Sequence, residues 1–307
     1  MGSRDNQKVF IPFQAQLCRI TMLRHELDQG SLGLILSSAL IAAAELLIFF
    51  GHLYAGVTIH AINLIFLVLS AAYTENEVYP VLMLLPLFRL LNLAMPVFFK
   101  ITLYSYPLVY APMFLPIYLI IKNKSLSREE LGLTLRGIHY LPLGIAIGML
   151  LGWGEYSLLR PQVLTQSVGM AGLLELSVVM IFFVGFVEEF IFRSAIQTVA
   201  CKRLGQIQGV LFTSFLFGFM HGGYHLAAEI LFAFCAGLVF GIMFLKTASL
   251  PLIVMAHGMT NVSLFLIVPV YSGLLLPIVA ISLILGGILA FGLKDPRLSL
   301  GSGKIKE

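Results

Sequence analysis

Two adjacent glutamates, Glu188 and Glu189, stand inside an apolar run that begins Val179-Met-Ile-Phe-Phe-Val-Gly-Phe-Val and continues Phe190-Ile-Phe to Arg193. Each charged side chain near the centre of a bilayer costs roughly 2.5–3.5 kcal/mol on insertion scales, so three acting independently cost on the order of 7–10 kcal/mol. Charges kept at that cost pair with each other, do chemistry, or both. Glu189 and Arg193 are four apart, share a helix face and can neutralise one another. Glu188 points about 100° away from that face and has no partner on its own helix. In a soluble protein this cluster would be a solvated helix end. The flanking phenylalanines and valines remove that reading here.

Two further apolar runs carry polar groups. One ends Phe217-Gly-Phe-Met-His221, and the other contains Pro251-Leu-Ile-Val-Met-Ala-His257-Gly-Met-Thr-Asn261. Taken singly, either histidine reads as a hydrogen-bonded interfacial or core side chain. His257 and Asn261 share a face, and such groups often only link helices, for around 1 kcal/mol or less each. The His221/His225 spacing imitates a metal pair, but Gly222-Gly223 breaks the helix it needs.

Depth joins the three runs. At ~1.5 Å per residue, Glu188 lies on the order of 17 Å from the cytoplasmic helix end, His221 about 22 Å, His257 about 12 Å and Asn261 about 18 Å. All four fall in mid-membrane and can converge between helices. A carboxylate activates water as general base, with a histidine holding that water. A second imidazole and a carboxamide donate to a developing oxyanion. Amide hydrolysis is the chemistry this set fits.

The elements that would position them are transmembrane helices. Of the 307 residues, 59% are hydrophobic and 11% charged, and the mean hydropathy is +0.97. A soluble domain carries about 25% charged residues. Ten apolar stretches recur near the ~20 residues that cross a bilayer: 32–52, 57–73, 78–98, 101–121, 138–159, 169–199, 207–221, 226–245, 249–268 and 272–292. With a cytoplasmic N-terminus, Arg4, Lys8, Arg19, Arg24, Lys122, Lys124, Arg128, Arg136, Lys202, Arg203, Lys246, Lys294, Arg297, Lys304 and Lys306 fall inside. Only Lys100 and Arg160 fall outside, as the positive-inside rule demands. The expected fold is therefore an all-α polytopic membrane protein with both termini cytoplasmic. The net charge of +4 reflects that topology and implies no nucleic-acid partner.

Residues 1–31 read as a cytoplasmic segment in which Phe13, Leu17, Ile20 and Leu27 recur at helical spacing, an amphipathic surface helix. Four spans (32–121) form an N-terminal bundle. A linker (122–137) follows, with Ser127 and Glu130 reading as the capping box of a short surface helix. Six spans (138–293) and a tail (294–307) complete the chain. Cys18, Cys201 and Cys235 imply no disulfide framework. Glu45 and Arg89 come out at similar depths and are expected to pair, with substrate binding as the rival role for Arg89. Glu175, Glu229, His25, His52, His60 and His139 are expected near interfaces.

At this point Glu188-Glu189-x-x-x-Arg193, Phe217-x-x-x-His221 and His257-x-x-x-Asn261 resemble, in order, the three motifs of the CPBP family. That family comprises the type II CAAX prenyl endopeptidases and the bacteriocin-immunity (Abi) proteins, glutamate-dependent intramembrane proteases. The resemblance covers roughly residues 169–265. Leu131-Gly-Leu133 is also reminiscent of many members. The resemblance implies that Glu188 is the water-activating base and His221 its partner. It makes His257 and Asn261 the oxyanion site, and Glu189 and Arg193 a supporting structural pair. It implies no cofactor and no metal, and a membrane-tethered protein or peptide substrate, prenylated or otherwise C-terminally anchored, met within the lipid bilayer. The location would be the plasma membrane in a prokaryote. Three alternatives stay open: a zinc protease using the same residues, a non-catalytic immunity or binding protein, and a proton-coupled transporter.

Overall fold

The computed structural model describes residues 13–98, 102–123, 125–161 and 169–292. Expectations for residues 1–12, Lys100, Lys124 and the tail from 294 lie outside these, as do those for the side chains of residues 13–29. Among the described residues every regular element is helical. In chain order they are α1 (Phe13–Phe49), α2 (Leu53–Tyr73), α3 (Val78–Ala94), α4 (Leu103–Asn123), α5 (Ile138–Leu159), α6 (Met170–Leu204), α7 (Gln206–Phe219), α8 (Ala227–Thr247), α9 (Leu250–Val270) and α10 (Ser272–Leu289). Eight of them, α1 through its part Gly30–Phe49, are long and apolar enough to cross a membrane, and α3 and α7 are shorter. Each apolar stretch read from the sequence coincides with one helix. The protein is a polytopic helical membrane protein. Residues 13–30 run into the first span without a break in the helix.

Small residues decide how the site-bearing helices meet. Gly144, Gly148 and Gly152 form one stripe on α5, turned towards α9. A Cβ on Gly148 would stand 2.1 Å from the Ala256 carbonyl oxygen, and one on Gly152 2.1 Å from that of Thr260. Only glycine lets the backbones approach so closely, the small-residue packing that replaces hydrophobic drive between helices in lipid. A second crossing joins α6 to α9. A Cβ on Gly185 would be 3.0 Å from the Val254 oxygen, and one on Gly258 2.7 Å from the Ile181 Cα. These two contacts set α9 between α5 and α6 and bring His257 beside the glutamates. Gly148→Ala is expected to force α5 and α9 apart and lower the thermal midpoint by several degrees. An unchanged midpoint would mean the contact is not required.

Three other departures from regular helix shape the site. Pro107, Pro112 and Pro116 break α4 into alternating 3₁₀ and α turns (Leu103–Ser105, Tyr106–Tyr110, Ala111–Met113, Phe114–Asn123), because each lacks an N–H for the ladder. Tyr110 sits at one junction and is buried. In α6, π-helical stretches Val179–Gly185 and Phe190–Gln197 flank the α turn Phe186–Glu189; π-bulges recur at functional sites. Finally, α7 has 14 residues, about 21 Å of helix against a hydrocarbon core of ~30 Å. The turn after it therefore lies below the membrane surface, where irregular backbone is tolerated only when buried in protein.

That turn is held by the N-terminal bundle. Gly222–Tyr224 forms a 3₁₀ turn, so the His221/His225 metal pair does not form on one helix. His225 Nδ1–H instead donates to the Phe49 carbonyl at 2.8 Å. Beneath the turn, Arg89 on α3 is hydrogen-bonded to Glu45 on α1, as expected from their depths. His60 Nε2 lies 3.0 Å from the other Glu45 oxygen. His60 is fully buried, which corrects its interfacial placement: α2 turns it towards α1 because the Glu45 carboxylate needs partners on both sides.

The linker forms its capping box. Ser127 N–H donates to Glu130 Oε2 at 2.7 Å, and Glu130 N–H to Ser127 Oγ at 3.2 Å. The segment is a single turn that ends at Gly132, whose φ is +65°, so the expected surface helix is not made. Leu131-Gly-Leu133 docks on the last six helices: the Leu131 carbonyl accepts from Ser194 Oγ at 2.7 Å, and the Gly132 carbonyl from Leu250 N–H at 2.8 Å. The Ser127 N–H, then the Lys202 ammonium, holds the Glu130 carboxyl below its ordinary value. With its folded value lowered, its contribution is present above the ordinary carboxylate pKa and lost as pH falls through the folded one. The gap in thermal midpoint between wild type and Glu130→Gln should therefore close as pH falls from 5 towards about 3.

Candidate active site

Glu188 and Glu189 occupy the α turn between the two π stretches, and both are buried. Their carboxylates meet different partners. Glu189 Oε1 accepts from Arg193 Nη1 at 3.1 Å and from His257 Nδ1 at 2.5 Å. Arg193 reaches the Gly237 carbonyl with Nη2 at 3.3 Å and lies 4.4 Å from the Phe217 ring centroid. The cation is thereby locked among α6, α7 and α8. The expected Glu189–Arg193 pair is present, and it holds His257 as well.

Glu188 Oε1 accepts from the Tyr110 hydroxyl at 2.6 Å, and Oε2 lies 3.8 Å from His257 Nε2. The second distance is too long for a direct hydrogen bond. A carboxylate only accepts, so His257 donates from Nδ1 to Glu189. In the neutral ring Nε2 then carries a lone pair facing Glu188, and Nε2 donates only from the imidazolium. Phe240 stacks on the ring at 5.3 Å, and Phe217 meets it edge-on at 5.8 Å. The imidazole has little freedom to turn.

His221 follows the end of α7, half-buried, with Nδ1 2.9 Å from the Phe217 carbonyl oxygen. A carbonyl accepts, so Nδ1 carries the proton and Nε2 is the basic atom of the neutral ring. Asn261, one turn after His257 on α9, is 9% exposed, and its Nδ2 has no hydrogen-bond partner. Buried donors are almost always paired, so an orphan is a position awaiting an acceptor.

His221, His257 and Asn261 converge on one cavity of about 30 Å³, together with Glu155, Glu229 and Phe217. That is room for about one water molecule. Glu188 is not among its lining residues; its Oε2 lies 3.8 Å from Nε2 of His257, which is. Among the described residues, no three His, Cys, Asp or Glu side chains are grouped to hold one metal ion.

Three residues of this region escape a reading of the sequence. Tyr110 is 78 positions from Glu188, and nothing local links them. Glu155 sits in the glycine-rich α5, where a lone acid in an apolar run was the available signal. Glu229 was placed at an interface, whereas it is 1% exposed. It lies in the first turn of α8, but the short α7 carries that helix start down into the protein. Glu175 is exposed.

Fold and site together define an integral membrane protein with polar machinery enclosed among α4 to α9. A family model described as Type II CAAX prenyl endopeptidase Rce1-like matches residues 171–263. This segment holds Glu188, Glu189, Arg193, His221, His257 and Asn261. The match supports the family resemblance read from the three motifs and, in general terms, a membrane protease of the hydrolase class. Searches of curated proteins and of solved structures returned no match.

Proposed function

We propose that the protein is an intramembrane endopeptidase that cleaves a peptide bond near the C-terminus of a membrane-tethered, prenylated protein. In this reading Glu188, oriented by Tyr110, takes a proton from water. His221, with its basic Nε2, holds that water. Asn261 Nδ2 and His257 stabilise the oxyanion. His257 donates as an imidazolium flanked by Glu188 and Glu189, and Glu189 with Arg193 fixes its ring. No cofactor enters. The substrate approaches from the cytoplasmic side, where both termini lie. Residues 138–293 are the catalytic module, and the bundle 32–121 braces it through the turn at 222–225. In a prokaryote the membrane is the plasma membrane.

The observation that carries this reading is Asn261, which lines a water-sized cavity with two imidazoles and whose buried Nδ2 has no hydrogen-bond partner. Asn261→Ala, assayed in detergent on an S-farnesyl peptide ending in a CAAX sequence, should lower kcat by about 10²–10³-fold. KM should change little, as for an interaction made only in the transition state. A variant with wild-type kcat would remove the oxyanion role. Chelators should leave the wild-type rate unchanged; loss restored by zinc would replace the glutamate mechanism with a metal one.

A further inference from the structure

The cavity has an acidic wall that the mechanism above leaves without work. Glu155 on α5 and Glu229 on α8 both line it, opposite helices that meet across the chamber. They are 9% and 1% exposed. Both residues stand on the wall of one water-sized cavity, which His221 also lines. Two buried carboxyl groups on one small cavity cannot both ionise, because like charges held close together away from water repel. The pair therefore holds a proton inside the chamber. Glu229 Oε2 and Asn261 Nδ2 are both buried without a hydrogen-bond partner, and both residues line this cavity. A carboxyl pair with a proton to give and a carboxamide donor thus line one cavity, as a tetrahedral intermediate with a departing nitrogen and an oxyanion requires.

A second observation concerns the space beside this pair. A larger cavity of about 190 Å³ adjoins, lined by Leu159, Pro161, Leu226, Leu264 and Phe265, and Glu155 again forms part of its wall. A chain that spans from the apolar cavity to the polar one passes the Glu155 carboxyl.

We propose that Glu155 and Glu229 share the proton that is delivered to the leaving amine. The inference rests on the endopeptidase reading above. Water gives one proton to Glu188, and its oxygen bonds to the carbonyl carbon, whose π pair moves onto oxygen beside Asn261. When that pair returns, the C–N bond breaks and its electrons go to nitrogen. The nitrogen takes the proton of the Glu155–Glu229 pair and leaves as a neutral amine. Glu188 then sheds its proton to solvent, and the pair regains one. The net reaction consumes one water.

An ester whose leaving alcohol is acidic needs no such proton. The test therefore compares an S-farnesyl CAAX peptide with its analogue carrying an activated ester at the scissile bond. Both are assayed with the full-length protein in detergent. Glu155→Gln and Glu229→Gln should each lower amide hydrolysis about 10²-fold or more, the usual range for a lost general acid. Ester hydrolysis should stay within threefold of wild type. The ratio of the two rates is independent of how much protein folds, so a structural defect cannot imitate this result. Equal losses on both probes, or no loss on either, would overturn the proposal. Glu188→Gln should lose both activities; if it retains both, the base assignment falls while the ratio still reads the acid. A wild-type protein that cleaves neither probe would remove the endopeptidase reading and this inference with it.

Discussion

Glu188→Gln is expected to lower kcat by about 10²–10⁴-fold, the range for losing a positioned general base, with the fold intact. The replacement keeps the shape and an acceptor oxygen, so the 2.6 Å bond from the Tyr110 hydroxyl survives. It removes only the capacity to take a proton. Burying a hydrogen-bonded amide is also less costly than burying a carboxylate. The thermal midpoint should therefore stay level or rise while activity disappears. A variant that loses activity and stability together would show that Glu188 braces the helices. A variant that keeps full activity would show that another group activates water.

Arg89→Met should have the largest effect on stability. Glu45 is fully buried, between Arg89 on one oxygen and His60 on the other. Removing one member of a buried pair leaves an uncompensated charge and costs about 3–5 kcal/mol. The damage should extend to the catalytic turn, because a Cβ on Gly223 would stand 3.1 Å from Arg89 Nη2. Activity should fall even though Arg89 touches none of the proposed catalytic groups. The double variant Glu45→Gln/Arg89→Met removes both charges and should recover most of the lost stability in denaturant or thermal unfolding. If the single variant is no less stable than the double, the pair is not what holds this bundle. A substrate-binding role for Arg89 would then return, visible as a raised KM with stability unchanged.

The ten helices were legible because lipid imposes a length and polarity on every span that composition cannot hide. The motif residues were legible for the same reason: a carboxylate or carboxamide in such a run has no cheap explanation. Distances measured along the helices failed at one point. Counting from the start of α8 puts Glu229 at a surface, but α7 is too short to reach that surface, so the count starts from the wrong depth. Tyr110 depends on how three prolines bend α4, and His60 on which way α2 faces α1. Neither follows from local pattern. The glycine stripe of α5 was visible in the sequence, but its partner, the α9 backbone at Ala256 and Thr260, is a fact of tertiary structure.

The central claim is that water, deprotonated at Glu188, attacks the peptide carbonyl directly. A single turnover of excess protein on the S-farnesyl peptide in ¹⁸O-water tests this most directly, with mass spectrometry of both product and protein. The account predicts one ¹⁸O atom in the new product carboxylate, none in the Glu188 side chain, and no acylated protein at any time point. Label in the Glu188 carboxyl, or a trapped acyl adduct on any residue, would contradict it.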